Sequence, residues 1–99
     1  MLSAGKADEY VDSKPKQLDL GGQKILVVKL DGTFYAVDDT CTHENESLSE
    51  GIVDSCEVEC PRHGARFDLK TGEVRALPAV LPLKTYKVAV EGDVVRVEI

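Results

Sequence analysis

A chain of 99 residues has room for one small domain and no more. Its 12 basic and 18 acidic residues leave a formal charge of −6, which repels phosphate backbones and anionic lipid; no nucleic acid and no membrane surface is expected as a partner. Three cysteines are an odd number and cannot close a disulfide framework. No apolar run reaches the length of a signal peptide or a membrane span, so a cytoplasmic protein is expected.

Most of the chain reads as strands. No run has a convincing helical period, and only a short helical turn near the N-terminus is compatible with the pattern. Lys16 to Leu20 leads into a Gly21-Gly22 turn. Gln23 to Leu30 follows as an apolar, β-branched run. Asp31-Gly32 then separates it from Thr33 to Val37, and Asp-Gly between two such runs predicts a type I′ hairpin, which needs positive φ at both central residues. From Asp38 to Gly64 the chain is turn-rich, with nothing that looks able to order itself by burial alone. Ala65 to Leu69 and Glu73 to Arg75 flank Lys70-Thr71-Gly72 and predict a second hairpin. Thr85 to Val90, a Glu91-Gly92-Asp93 turn and Val94 to Ile99 predict a third. Short strands joined by Gly-rich turns predict an all-β sandwich or small barrel.

The turn-rich region holds all three cysteines and both histidines. Cys41-Thr42-His43 and Cys60-Pro61-Arg62-His63-Gly64 form C-x-H, sixteen intervening residues, then C-x-x-H. Each short loop delivers one sulfur and one nitrogen to a common centre at little closure entropy. A structural Cys2His2 zinc site is one reading, although such sites usually pair like ligands within a loop. The mixed pairs suit a two-iron centre with thiolates on one iron and imidazoles on the other. Cys56 is left over and is expected to be a small buried filler. Gly64 is expected either to donate its N–H to a cluster sulfur or to serve as an ordinary positive-φ turn.

On these residues, together with Leu48-Ser49-Glu50-Gly51, Phe67-Asp68, Thr71-Gly72, Pro78-Ala79 and Pro82-Leu83, the sequence resembles the Rieske-type [2Fe–2S] family from about Ala36 to Ile99. The resemblance implies one domain over residues 1–99. It would have a β-sandwich base and a small cluster-binding subdomain at one tip, about residues 38–69. It implies one [2Fe–2S] cluster, with Cys41 and Cys60 on the buried iron and His43 and His63 on the outer iron. At Pro78-Ala79 it also implies a third loop, framed by Pro78 and Pro82, that covers the cluster; the other reading of the two prolines is that they stand at strand edges.

The neighbouring residues discriminate among family members. High-potential members carry an extra cysteine in each loop, at positions that align with Glu46 and Arg62 here, and hydroxyls that align with Ala65 and Phe67. Neither the disulfide nor those donors can form, which implies a potential toward the low end of the range, about −150 mV. Glu44, Glu46 and Glu50 form an acidic group beside the outer iron, read as solvated surface. The chain is therefore similar to the ferredoxin components of bacterial ring-hydroxylating dioxygenase systems in aromatic hydrocarbon catabolism. These are not enzymes themselves. That similarity implies a monomer that carries single electrons from a flavin reductase to a terminal oxygenase, docking transiently near His43 and His63. The alternatives are a small Rieske-fold subunit of a larger reductase such as nitrite reductase, and the zinc interaction module.

Overall fold

The computed structural model describes residues 2–40, 47–61, 64–76 and 81–99. Two short turns set the first hairpins. Strand β2 (Lys16–Leu20) pairs antiparallel with β3 (Gln23–Leu30) across Gly21-Gly22. Then β3 pairs with β4 (Thr33–Asp38) across Asp31-Gly32. All four turn residues have positive φ, as the Asp-Gly signal predicts.

These strands form the middle layer. Its order is β2-β3-β4-β9, with β9 at Thr85–Tyr86. The continuous apolar run of β3 reflects burial on both sides. Leu26, Val28 and Val37 face one core, shared with Leu48, Val58, Cys60, Phe67 and Leu69. Ile25, Val27 and Ala36 face the other, shared with Ala4, Tyr10, Val95 and Val97. The register explains the sorting: Leu26 lies opposite Val37 and Val27 opposite Ala36, so neighbouring residues alternate between the two cores.

The outer layers are two further antiparallel sheets. One is β1-β11-β10, built from Leu2–Lys6, Val94–Val97 and Val88–Glu91. The other is β5-β6-β7-β8, built from Ile52–Asp54, Glu57–Glu59, Arg66–Asp68 and Val74–Ala76. The all-β expectation holds: helical residues among those described are confined to the 3₁₀ turns Ala7–Glu9 and Leu48–Glu50.

Three local expectations are corrected. The predicted strand Thr85 to Val90 breaks at Lys87, because β9 completes the middle sheet while β10 joins β11. The β10–β11 loop is two residues, Gly92-Asp93, rather than three, since Glu91 still pairs with Val94. The described residues between Asp38 and Gly64 do pack by burial: they contribute β5, β6 and the fully buried Leu48 and Val58 to the core. Its hairpin turns on Ser55-Cys56, both left-handed at φ 52° and 60°, without the glycine or asparagine that marks such turns. No helix among the described residues is long and apolar enough to cross a membrane.

Candidate metal centre

Cys41, Thr42, His43, Glu44 and Glu46 lie outside the described residues, as do Arg62, His63, Pro78 and Ala79. The structure describes how the segments that bear them are anchored, and where Cys60 stands.

The segment 41–46 leaves the end of β4 and returns into the Leu48–Glu50 turn. Its two ends are closed by a Thr40–Ser47 bridge and by the Leu48 N–H donating to the Asp39 carbonyl at 2.7 Å. The two aspartates before it point to opposite faces of the middle sheet. Asp38 takes the Tyr86 hydroxyl at 2.5 Å, while Asp39, only 1% exposed, accepts from the Ser49 N–H at 2.8 Å and the Ser49 hydroxyl at 3.2 Å. Gln17 of β2 also donates to Asp39. Tyr86 holds its proton well above the ordinary phenol range, first through burial and then through Asp38.

The second segment starts where β6 ends. The Cys60 N–H donates to the Ala65 carbonyl at 2.7 Å and the Gly64 N–H donates to the Cys60 carbonyl at 3.2 Å, so the turn closes on itself. Gly64 sits at φ +73°, a left-handed conformation that favours glycine. The positive-φ turn expected of it is observed, with its N–H directed at the Cys60 carbonyl. Arg66 pins the strands that carry this turn, binding Glu57 at 2.8 Å and Glu59 at 3.1 Å. These two carboxylates hold its guanidinium above its usual range, with the Glu57 hydrogen bond foremost.

The third segment is rooted by Gly72. The Leu83 N–H donates to the Gly72 carbonyl at 2.8 Å. Asp68 caps the preceding turn through the N–H groups of Lys70 and Thr71 at 2.7 and 3.1 Å. Three chain segments, 41–46, 62–63 and 77–80, are thus each held by backbone and carboxylate bonds close to their ends.

The donor set fits an iron–sulfur centre. Cys60 is a free thiol, 1% exposed, in the same core as Leu48, Val58, Ala65 and Phe67; such a dry setting suits the sulfur-bound side of a cluster. Ala65 and Phe67 are themselves fully buried and bring no hydroxyl. Cys56 is free but only partly buried, at the margin of this core rather than inside it as expected of a filler, because it sits in the left-handed β5–β6 turn. Sequence reasoning missed Asp39 and Gln17, whose bond joins residues 22 apart with no local signal.

The chain matches the family model for the Rieske [2Fe–2S] domain over residues 1–87. It is 46% identical over 79 residues to the ferredoxin component of biphenyl 2,3-dioxygenase from Rhodococcus jostii RHA1, covering 80% of this chain and 74% of that protein. The ferredoxin of carbazole 1,9a-dioxygenase from Nocardioides aromaticivorans IC177 superposes with TM-score 0.93 at 34% identity, covering 98% of this chain and 97% of that one. A structure of the complex of reduced oxygenase and oxidised ferredoxin in carbazole 1,9a-dioxygenase contains a chain equally similar, at TM-score 0.93 and 34% identity, covering 98% of this chain and 100% of that one. With the buried Cys60 and the paired C-x-H and C-x-x-H segments, these likenesses place the chain in the Rieske [2Fe–2S] domain family, with a [2Fe–2S] cluster as its cofactor.

Proposed function

We propose that this chain is a mobile Rieske ferredoxin of the cytoplasm. It works as a monomer that passes single electrons from a flavin-dependent reductase to a terminal ring-hydroxylating oxygenase. Cys41 and Cys60 hold the inner iron of the cluster, and His43 and His63 the outer one. The observation that carries the reading is the likeness, over four-fifths of the chain, to a dioxygenase ferredoxin component that is itself an electron carrier.

When bound, the cluster accepts and releases one electron at a time. The protein's part is positioning and exclusion. Cys60 offers its sulfur from a dry core, and Leu48, Val58 and Phe67 keep water from that side. Ala65 and Phe67 donate no hydrogen bond, so a reduced centre gains no hydroxyl support and stays a ready donor. The exposed Pro61 and the 65%-exposed Ile52, whose strand partner Glu59 adjoins Cys60, put apolar surface at the same end. Small docking patches of this kind suit fast release. The charge of −6 selects partners with basic patches and makes association sensitive to salt.

The test is reconstitution. Anaerobically prepared holo-protein is mixed with a flavin reductase and a ring-hydroxylating oxygenase. Single-electron reduction by the first and reoxidation by the second are expected. The reduced protein should give the low average-g EPR signal of histidine-ligated clusters, lost in His63→Ala. Material without acid-labile sulfide, or a protein recovered only as a stoichiometric subunit of a larger reductase, would overturn the proposal.

A further inference from the structure

The side chain of Gln17 comes from β2, outside the strands that flank the metal-binding segments, and is exposed. Its one amide nitrogen donates to Asp39 Oδ2 and, at 3.1 Å, to Ser47 Oγ. Those acceptors stand on opposite ends of the segment 41–46. Asp39 precedes it and Ser47 follows it, and the two ends are already joined by the Thr40–Ser47 bridge. Ser49 adds two further donors to the same carboxylate.

We infer that Gln17 and Asp39 together act as a positioning staple for the segment carrying Cys41 and His43, fixing the separation of its two ends from a strand of the middle sheet. The inference rests on Cys41 and His43 being ligands. The two N–H groups of this one amide bond both ends at once, so Asp39 and Ser47 cannot move apart without breaking a bond. Both ligands of this segment depend on that closure, because they lie between its two ends. Gln17 touches neither ligand; it acts through Asp39 and Ser47.

The experiment uses holo-protein and measures the first-order rate at which a strong ferrous chelator bleaches the cluster, beside the urea midpoint of the folded state. Gln17→Met keeps the length of the side chain and removes its donors. Gln17→Arg places an N–H on the atom equivalent to the glutamine nitrogen and adds others beyond it. The staple predicts that Gln17→Met loses iron roughly tenfold faster, about the factor that one charge-assisted hydrogen bond supplies. Gln17→Arg should stay within about twofold of the parent on the same scale. Asp39→Asn should lose iron faster and also shift the midpoint potential upward, because a negative charge near the centre has gone. Gln17→Met bleaching at the parent rate, or Gln17→Arg bleaching as fast as Gln17→Met, would overturn the staple. Failure of the ligand assignment looks different: the unsubstituted protein would then lack labile sulfide and the reduced-state signal altogether.

Discussion

Gly51 lies directly against the backbone of Glu59: a methyl group on its Cα would stand 1.9 Å from the Glu59 carbonyl oxygen. Its φ is an ordinary −88°, so glycine is required there for space and not for conformation. Glu59 is the residue before Cys60. The turn that ends segment 41–46 and the strand that presents the Cys60 thiol therefore meet backbone to backbone. Gly51→Ala must push that carbonyl aside. It is expected to destabilise the fold by about 2–4 kcal/mol, the range of strained or overpacked substitutions, and to lower cluster occupancy. Chemical denaturation and the iron-to-protein ratio check this; a fully loaded variant of parent stability would contradict the close approach.

Ala65 and Phe67 are fully buried beside Cys60. Ala65→Ser with Phe67→Tyr adds two hydroxyls, one just before β7 and one within it. The potential is expected to rise, since donors near the sulfurs favour the reduced state. Voltammetry reads the shift. If a new hydroxyl finds no acceptor, stability falls by about 1–3 kcal/mol, which separates mispointing from success. An unmoved potential in a folded, loaded double variant would refute the account.

Tyr10 donates its hydroxyl to the Ala4 carbonyl at 2.7 Å, and burial, with help from Glu9, pushes its pKa up to about 12. Above pH 10 an unfolded chain releases this proton while the folded one keeps it. The folded state then binds more protons, and stability falls with rising pH by about 1.4 kcal/mol per unit for each such group. Tyr86 is shifted in the same direction. Tyr10→Phe should cost about 1 kcal/mol at neutral pH and flatten the alkaline decline without abolishing it. Urea midpoints between pH 8 and 11 measure both effects; an unchanged slope would assign the decline elsewhere.

Asp68 is held below the usual carboxylate range, chiefly by the Arg75 guanidinium at 2.9 Å and then by the Lys70 and Thr71 amides, against the opposing effect of burial. A depressed carboxyl stabilises the fold above its unfolded pKa and loses that contribution as pH falls through its folded one. Asp68→Asn should therefore be less stable than the parent at pH 7, with the gap closing as pH falls through the lowered pKa of Asp68. Thermal melts across that range test it. A gap that persists in acid would mean the side chain acts through shape and not charge.

The early hairpins were legible because Gly21-Gly22 and Asp31-Gly32 announce their backbone geometry in residue type. The β5–β6 hairpin was not, since Ser55 and Cys56 adopt the same left-handed turn without the residues that favour it. Strand β1 escaped notice because Leu2–Lys6 is ordered by pairing with β11 at the other end of the chain. Lys87 hides a change of sheet inside one alternating run. The candidate ligands could be picked out at once, because thiol and imidazole at short spacing state their chemistry locally. Their supports could not: Asp39 looks like any turn aspartate until Gln17 and Ser49 are folded onto it.

Strand β3 lends alternate residues to two separate cores. Neither outer sheet can detach without stripping one side of this shared wall. The β5-β6-β7-β8 sheet and the layer formed by the chain ends should consequently melt in one cooperative step. Visible bleaching of the cluster and loss of far-ultraviolet dichroism would then fall on the same curve.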